Sequence, residues 1–167
     1  MSCLFEAVRN DDAELLKRLL QDGQPLEDLQ GALCNAAESG RLNLVEILTR
    51  HGVRDDWAVV GAASFADART VRFLARLGGN IDAAFIGAAA HGRLENLRCL
   101  AAFSPTVSDE ALADAALRGF FDVARFLLDG GANPDAVVYG GKTAAGIAKE
   151  KGDAALMRLF ADFKKSG

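Results

Sequence analysis

The chain has 167 residues, half of them apolar and a quarter charged, with a formal net charge of −4. This composition is that of a folded protein and is too apolar for intrinsic disorder. The negative charge disfavours nucleic acid as the partner, because phosphate binding requires a basic surface. The first residues lack the pattern of a signal peptide, and no apolar stretch approaches the roughly 18 residues that span a bilayer. We therefore expect no membrane partner.

The cysteines fit an intracellular protein. Cys3, Cys34 and Cys99 are odd in number and scattered, with no C-x-x-C pair. Such usage argues against a disulfide framework and is typical of a reducing compartment. We predict a cytoplasmic protein and interpret Cys34 and Cys99 as small core residues rather than reactive thiols.

A small pattern marked by alanine returns six times along the chain. Its alanines are Ala7, Ala36–Ala37, Ala62–Ala63, Ala88–Ala89, Ala115–Ala116 and Ala148. The first alanines are successively 29, 26, 26, 27 and 33 residues apart. A period of this size indicates a stack of repeats within one domain rather than one globular core. We place the repeat units at about 2–27, 28–54, 55–80, 81–107, 108–135 and 136–165.

The stretch Leu33–Gly52 shows how one unit is built. Leu33, Ala36 and Ala37 fall on one face of a first helix. Gly40 ends that helix and lets the chain reverse. The apolar positions of a second helix follow at Leu42, Leu44, Val45, Ile47 and Leu48. The unit is therefore predicted to be an antiparallel helix pair, whose alanines allow neighbouring pairs to approach closely. The equivalent turn positions elsewhere are Asp11, Ala66, Gly92, Gly119 and Gly152.

Four strings give the pattern a family likeness: AAESGRLNLVEILTRHG, AAAHGRLENLRCLAA, ALRGFFDVARFLLDGGANPD and GKTAAGIAKEKGD. They combine paired alanines, a turn glycine, a Val/Leu-x-x-Leu ridge and a closing glycine in phase. With these features, residues 2–165 resemble the ankyrin repeat family. The resemblance implies an all-α solenoid of stacked antiparallel helix pairs that binds another protein and needs no cofactor.

The chain departs from the family between the helix pairs. The usual ankyrin period is about 33 residues, which only the last interval reaches. The T-P-L-H start is missing except for a remnant at Thr143. In the family, the missing stretch forms a projecting β-hairpin finger. We predict that the middle fingers are shortened to loops and that only Gly131–Thr143 is full length.

Other residues could cap the helices that lack the threonine. Asp28, Asp56, Asp82 and Ser108 each precede a predicted helix start and are 28, 26 and 26 residues apart. Asp and Ser side chains accept hydrogen bonds from the unpaired amides at a helix N-terminus. We interpret all four as N-caps rather than as catalytic groups.

The family resemblance also implies where a partner docks, on the concave face formed by the inner helices and adjoining loops. The residues just before each turn would line that face, and Trp57 and Tyr139 would lie in adjoining loops. The candidate partner-binding residues are Glu38, Trp57, Ser64, Phe65, His91, Leu117, Arg118 and Tyr139. An apolar centre with a polar rim is typical of protein interfaces. Two alternatives stay open: Trp57 packing between two units, and Phe65 turned inward.

No motif predicts chemistry. His51 and His91 stand at helix ends in different units, and no H-E-x-x-H, G-x-S-x-G or P-loop string occurs. Cys, His and carboxylate residues do not cluster at metal-ligand spacing. We predict a non-enzymatic, monomeric interaction module, such as an inhibitor, adaptor or immunity-type factor. One alternative is a structural subunit that self-associates, and another is an enzyme built on the same scaffold.

Overall fold

The computed structural model describes residues 3–103 and 107–166, without the side chains of Tyr139 and Ser166. Its regular elements are all helical, which confirms the predicted all-α class. The α-helices are α1 (Cys3–Arg9), α2 (Ala13–Gln21), α3 (Leu26–Glu38), α4 (Leu42–Arg50), α5 (Ala58–Phe65), α6 (Ala68–Leu77), α7 (Ile81–Ala90), α8 (Leu94–Leu100), α9 (Asp109–Arg118), α10 (Phe121–Asp129), α11 (Ala144–Lys151) and α12 (Ala154–Ser166). A short 3-10 turn covers Tyr139–Gly141.

The helices form consecutive pairs, and we call the first of each pair the inner helix and the second the outer helix. The chain divides into two compact units, Met1–Ala84 and Phe85–Gly167, with the boundary inside α7. In the first unit, the inner helices α1, α3 and α5 pack side by side, and so do the outer helices α2, α4 and α6. In the second unit, α9 packs on α11, α8 on α10, and α10 on α12. Each unit is therefore a two-layer stack, as repeats with one apolar face require.

The alanines that recur along the sequence lie in the core. The ten alanines of the pattern are all 0% exposed: Ala7, Ala36, Ala37, Ala62, Ala63, Ala88, Ala89, Ala115, Ala116 and Ala148. The outer helices contribute fully buried bulky side chains, among them Leu16, Leu48, Leu97 and Leu127. Small side chains on the inner helices let them pack closely, and leucines fill the space behind at the density of a protein interior.

The turn between the two helices of a pair is left-handed, as the glycines predict. Gly40 has φ +68°, and Gly92, Gly119 and Gly152 have similar angles at the equivalent positions of other turns. Asp11 adopts φ +57°, a conformation that Asp tolerates better than most residues. Ala66 is the exception, since it is extended with φ −92° and ψ −175°.

The link between α6 and α7 is short and the link between α10 and α11 is long, as predicted. Only residues 78–80 separate α6 from α7, whereas residues 130–143 separate α10 from α11. The Asn80 amide donates to the Asp56 carbonyl at 2.9 Å, which holds the short link against the preceding loop. The long link has no strand among its described residues and instead forms turns, with Val138 donating its amide to the Lys142 carbonyl.

The predicted caps are correct at one position and wrong at three. Ser108 Oγ accepts from the Ala111 amide at 3.2 Å and caps α9. Asp28 lies inside α3, which begins after Pro25. Asp56 precedes Trp57, which is the N-terminal flanking residue of α5 and makes no side-chain cap. Asp82 lies inside the first turn of α7.

The side chains that cap other helices are different ones. Asn80 Oδ1 accepts from the Ala83 amide at 3.0 Å at the start of α7. Three outer helices are capped by aspartates that directly follow the inter-helix turn, namely Asp12, Asp67 and Asp153. These caps serve the outer helices, whereas the prediction concerned the inner ones.

Candidate protein-binding surface

Phe65 points outward at the C-terminal end of α5. Its side chain is 53% exposed, which answers the open question about its orientation. Ser64 is only 5% exposed, and its hydroxyl donates to the Val60 carbonyl at 2.9 Å. Consecutive helical residues are about 100° apart, so an outward Phe65 turns Ser64 into the stack. Ser64 is therefore turned away from the exposed face on which the prediction placed it.

The stem of Glu38 lies against Gly61 of the neighbouring helix α5. A Cβ added at Gly61 would lie 2.6 Å from Glu38 Cγ, so the glycine leaves the space that the stem occupies. Gly61 and Phe65 are four residues apart and share one face of α5. The exposed residues Glu38 and Phe65 and the half-buried Gly61 consequently belong to one patch in the first unit, which we call the first patch.

A depression of about 200 Å³ adjoins the first patch along α3. It is lined by Phe5, Val8, Arg9, Asn35, Ser39 and Arg41. The Arg41 guanidinium donates to the Val8 carbonyl and so ties the turn after α3 to the end of α1. Sequence reasoning did not assign this depression, although Asn35, three residues before Glu38, shares its helix face.

The second unit exposes a corresponding group, His91, Leu117 and Arg118, which we call the second patch. Leu117 is 48% exposed, and His91 Nδ1 lies 2.8 Å from the Gly87 carbonyl oxygen. Arg118 is exposed and makes no ion pair with any described residue. The turns that carry these residues are neighbours, since a Cβ at Gly92 would lie 3.0 Å from the Phe120 ring. The Lys151 ammonium donates to the Leu117 carbonyl at the end of α9.

The stacked pairs and their turns have a counterpart among solved structures. The crystal structure of EF0377, described as an ankyrin repeat protein, matches with a TM-score of 0.75. The match covers 95% of this chain and 96% of that chain at 18% sequence identity. The chain has the ankyrin-repeat fold. No protein-family model and no curated protein matches the sequence.

Trp57, a further candidate of this ankyrin-repeat fold, lies apart from Phe65. Trp57 is 60% exposed, so the alternative that it packs between units is wrong. It stands at the N-terminal end of α5, about 12 Å along the helix from Phe65, and its amide donates to Asp55 Oδ1 at 2.7 Å. The side chain of Tyr139 lies outside the described residues.

The cysteine side chains of the ankyrin-repeat fold differ in their burial. Cys99 is buried, as predicted, whereas Cys34 is half-buried. Burial, followed by the nearby Asp55 carboxylate, raises the pKa of the Cys34 thiol to about 12. The thiolate is therefore scarce at neutral pH, and Cys34 is a poor nucleophile there.

The described residues contain no group of three or more His, Cys, Asp or Glu side chains that could hold a metal ion. Across the same part of the chain, every helix falls short of the length and apolar character needed to cross a membrane.

Proposed function

We propose that the protein is a non-catalytic binding module that acts by docking another protein on the C-terminal ends of its inner helices. The observation that carries this proposal is the outward placement of large apolar side chains at these ends, Phe65 in the first patch and Leu117 in the second. The ankyrin-repeat fold is typically non-enzymatic and typically serves protein interaction.

The chemistry of the patches suits such an interface. Glu38 and Phe65 are both exposed in the first patch, and Leu117 is followed in the sequence by the exposed Arg118 in the second. Aromatic and arginine side chains contribute most to binding energy when a partner removes them from water. The charged neighbours supply the polar rim that fixes partner and register.

The depression beside the first patch extends this surface with polar chemistry. The Asn35 amide already donates to the Gly31 carbonyl at 3.1 Å, so it has a second donor hydrogen for a partner. We propose that a partner side chain enters this depression while the partner covers Phe65. Binding of this kind suits an inhibitor, an adaptor or an immunity-type factor, each of which acts by occupying another protein.

The test requires the partner in pure form. We would isolate it by affinity purification from the producing cells, and then measure its dissociation constant with the triple variant Phe65→Ala, Leu117→Ala, Arg118→Ala. Each hot-spot truncation costs more than about 1 kcal/mol, so we expect binding to weaken by about 100-fold or more.

A matched control is available on α12. Met157, Arg158 and Phe163 are exposed residues of similar types, and their replacement by Ala should leave affinity within about twofold. Equal losses in both triple variants, or no loss in the first, would show that the patches are not the interface. If the purified chain instead forms a stable oligomer that the first triple variant dissociates, the self-associating alternative is correct.

A further inference from the structure

One face of the outer helix α6 is strongly cationic. Arg69, Arg72 and Arg76 are spaced three and four residues apart, so they lie in one row along the helix. All three are exposed, while Val71 and Leu74 turn to the core on the opposite side. The row is about 10 Å long, at 1.5 Å per residue.

The arginines of this row are not neutralised by ion pairs among the described residues. None of the three makes an ion pair within the part of the chain that the structure describes. The helix contains no Asp or Glu. Asp67, which precedes the helix, interacts electrostatically with Arg69. Its Oδ1 is engaged as the N-cap, where it accepts from the amides of Arg69 and Thr70 and from the Thr70 hydroxyl.

On three other outer helices, a basic side chain forms an ion pair with an acidic one. Each of α2, α4 and α8 pairs a basic residue with a glutamate one turn away, at 2.7 to 3.0 Å. The pairs are Glu14–Lys17, Glu46–Arg50 and Glu95–Arg98. On α6, like charges stand one turn apart instead, an arrangement that disfavours the helix. The charges of this row therefore do not stabilise α6.

Apolar surface borders the row. Phe73 is half-buried between the arginines, and Leu77, four residues later on the same face, is 43% exposed. Arginine next to a half-buried aromatic and an exposed aliphatic side chain is the composition of an interface rather than of a purely solvated face. Guanidinium groups bind carboxylates through two parallel hydrogen bonds, which favours acidic side chains as ligands.

We propose that this face, the α6 stripe (Arg69, Arg72, Phe73, Arg76 and Leu77), binds an acidic helical segment of a partner protein. Carboxylates one turn apart on that segment would meet the arginines, and an apolar residue beside them would cover Leu77. The site is separate from the first and second patches, so it stands independently of the function proposed above.

The charge of the surrounding unit favours a short segment over a long polyanion. Residues 1–84 contain 13 Asp and Glu and 9 Lys and Arg, three of which form the stripe. A nucleic acid or an anionic membrane would extend past the stripe and meet this excess of negative charge. A segment of a few helical turns matches the length of the row and avoids that repulsion.

The experiment uses the full chain and a fluorescein-labelled synthetic peptide of about four helical turns. The peptide carries Glu at positions one turn apart and Leu beside them, and a reference peptide carries Gln in place of Glu. Fluorescence anisotropy at low salt should show binding of the Glu peptide and at least about tenfold weaker binding of the Gln peptide. Rising salt should weaken the former.

Two variants with the same change in net charge complete the test. The stripe variant, Arg69→Gln, Arg72→Gln, Arg76→Gln, should bind the Glu peptide at least about tenfold more weakly. The control, Arg50→Gln, Arg98→Gln, Arg125→Gln, removes three exposed arginines elsewhere and should bind within about threefold of the unmodified chain. Gln favours helix almost as well as Arg, so the circular dichroism of both should match the unmodified chain.

Equal losses of affinity for the Glu peptide in the two variants would show a general charge effect and overturn the proposal. Absence of Glu-peptide binding to the unmodified chain would also overturn it. Duplex DNA and phosphatidylserine vesicles serve as competitors. Displacement of the peptide by either, together with stripe-dependent binding of that competitor, would make the stripe a polyanion site and also overturn the proposal.

Discussion

The second and third helix pairs lie in the same unit and repeat at a spacing of 26 residues, yet they differ at their turns and on their surfaces. The second pair, α3 and α4, turns at left-handed Gly40, and its outer helix carries the Glu46–Arg50 ion pair. The third pair, α5 and α6, turns at extended Ala66, begins its outer helix with the Asp67 cap, and carries the α6 stripe.

Their cores, in contrast, are equivalent. Ala36 and Ala62 are both 0% exposed, and Leu48 and Leu74, also 26 residues apart, are both buried. The alternation of small inner and bulky outer side chains is therefore sufficient to hold the repeat, and the turn can take more than one conformation. What distinguishes the repeats from one another is on the surface, where binding occurs.

The largest expected effect tests the equivalence of the cores. Leu48→Ala should lower the free energy of unfolding by about 2–5 kcal/mol through lost burial and a residual cavity. The loss in free energy of unfolding for Leu74→Ala should lie in the same range but be smaller than for Leu48→Ala, because Leu74 is 5% exposed and Leu48 is 0% exposed. Urea denaturation measures both. Leu77→Ala, at an exposed position, should change stability by about 0.5 kcal/mol or less, and a larger effect there would contradict the assignment of the buried face.

The turns provide the next test. Gly40→Ala should cost about 1–2 kcal/mol, because a Cβ is disfavoured at φ +68°. Crowding adds nothing, since the new Cβ would stand 3.6 Å from Ala66 Cβ, an ordinary contact. Gly40→Asn should recover part of the loss, as Asn tolerates the left-handed region. If Gly40→Ala unfolds at the same urea concentration as the unmodified chain, the second turn can adopt the extended form of the third.

The cap of the third pair should matter somewhat less. Asp67→Ala removes the acceptor of the Arg69 and Thr70 amides and should cost about 0.5–2 kcal/mol. Asp67→Asn keeps a capping oxygen and should be close to the unmodified chain in thermal or urea unfolding. An alanine variant as stable as the asparagine variant would mean that the cap contributes nothing.

The same carboxylate predicts a pH dependence. The hydrogen bond from the Thr70 amide, foremost among several, lowers the pKa of Asp67 in the folded chain. A lowered folded-state pKa means that the ionised cap stabilises the fold above the unfolded-state value of about 4, and that this stabilisation is lost as the pH falls through the folded-state pKa. The stability difference between the unmodified chain and Asp67→Asn should therefore change on acidification below about pH 4. A constant difference from neutral to acidic pH would refute the linkage.

The smallest effects compare the two outer helices. Arg72→Glu replaces like-charge contacts on α6 with opposite ones and should stabilise the chain by about 0.2–0.5 kcal/mol. Glu46→Gln removes the ion pair with Arg50 on α4 and should destabilise it by about 0.3–0.5 kcal/mol. Changes of opposite sign in thermal unfolding at low salt, which shrink in high salt, would support the contrast. Changes of the same sign would contradict it.

The sequence predicts the buried part of the molecule better than its surface. Ala62 and Leu48 could be placed because burial leaves a periodic pattern of size and polarity. Ser64 could not, because a serine can satisfy its hydroxyl within its own helix, as it does on the Val60 carbonyl. The interpretation of Asp82 as a cap failed because a shift of two residues in the helix start transfers that role to Asn80. The Asp67 cap was missed, although an aspartate directly before the apolar-periodic run of α6 is a recognisable signal of a helix start.

The three-residue link between α6 and α7 also bears on how such a chain can change its length. Gly79 has φ +108°, and a Cβ there would stand 3.0 Å from Val59 and 3.2 Å from the Asp56 carbonyl oxygen. The Asn80 amide donates a hydrogen bond to that same carbonyl. The link therefore has no room for an added residue and no residue that could be deleted without moving α7. Insertions and deletions at this point are therefore tolerated only as whole repeats of about 26 residues, by duplication or loss of a complete helix pair. Insertions and deletions of single residues should instead be tolerated in residues 130–143, and this link is therefore the natural position for grafting a foreign peptide.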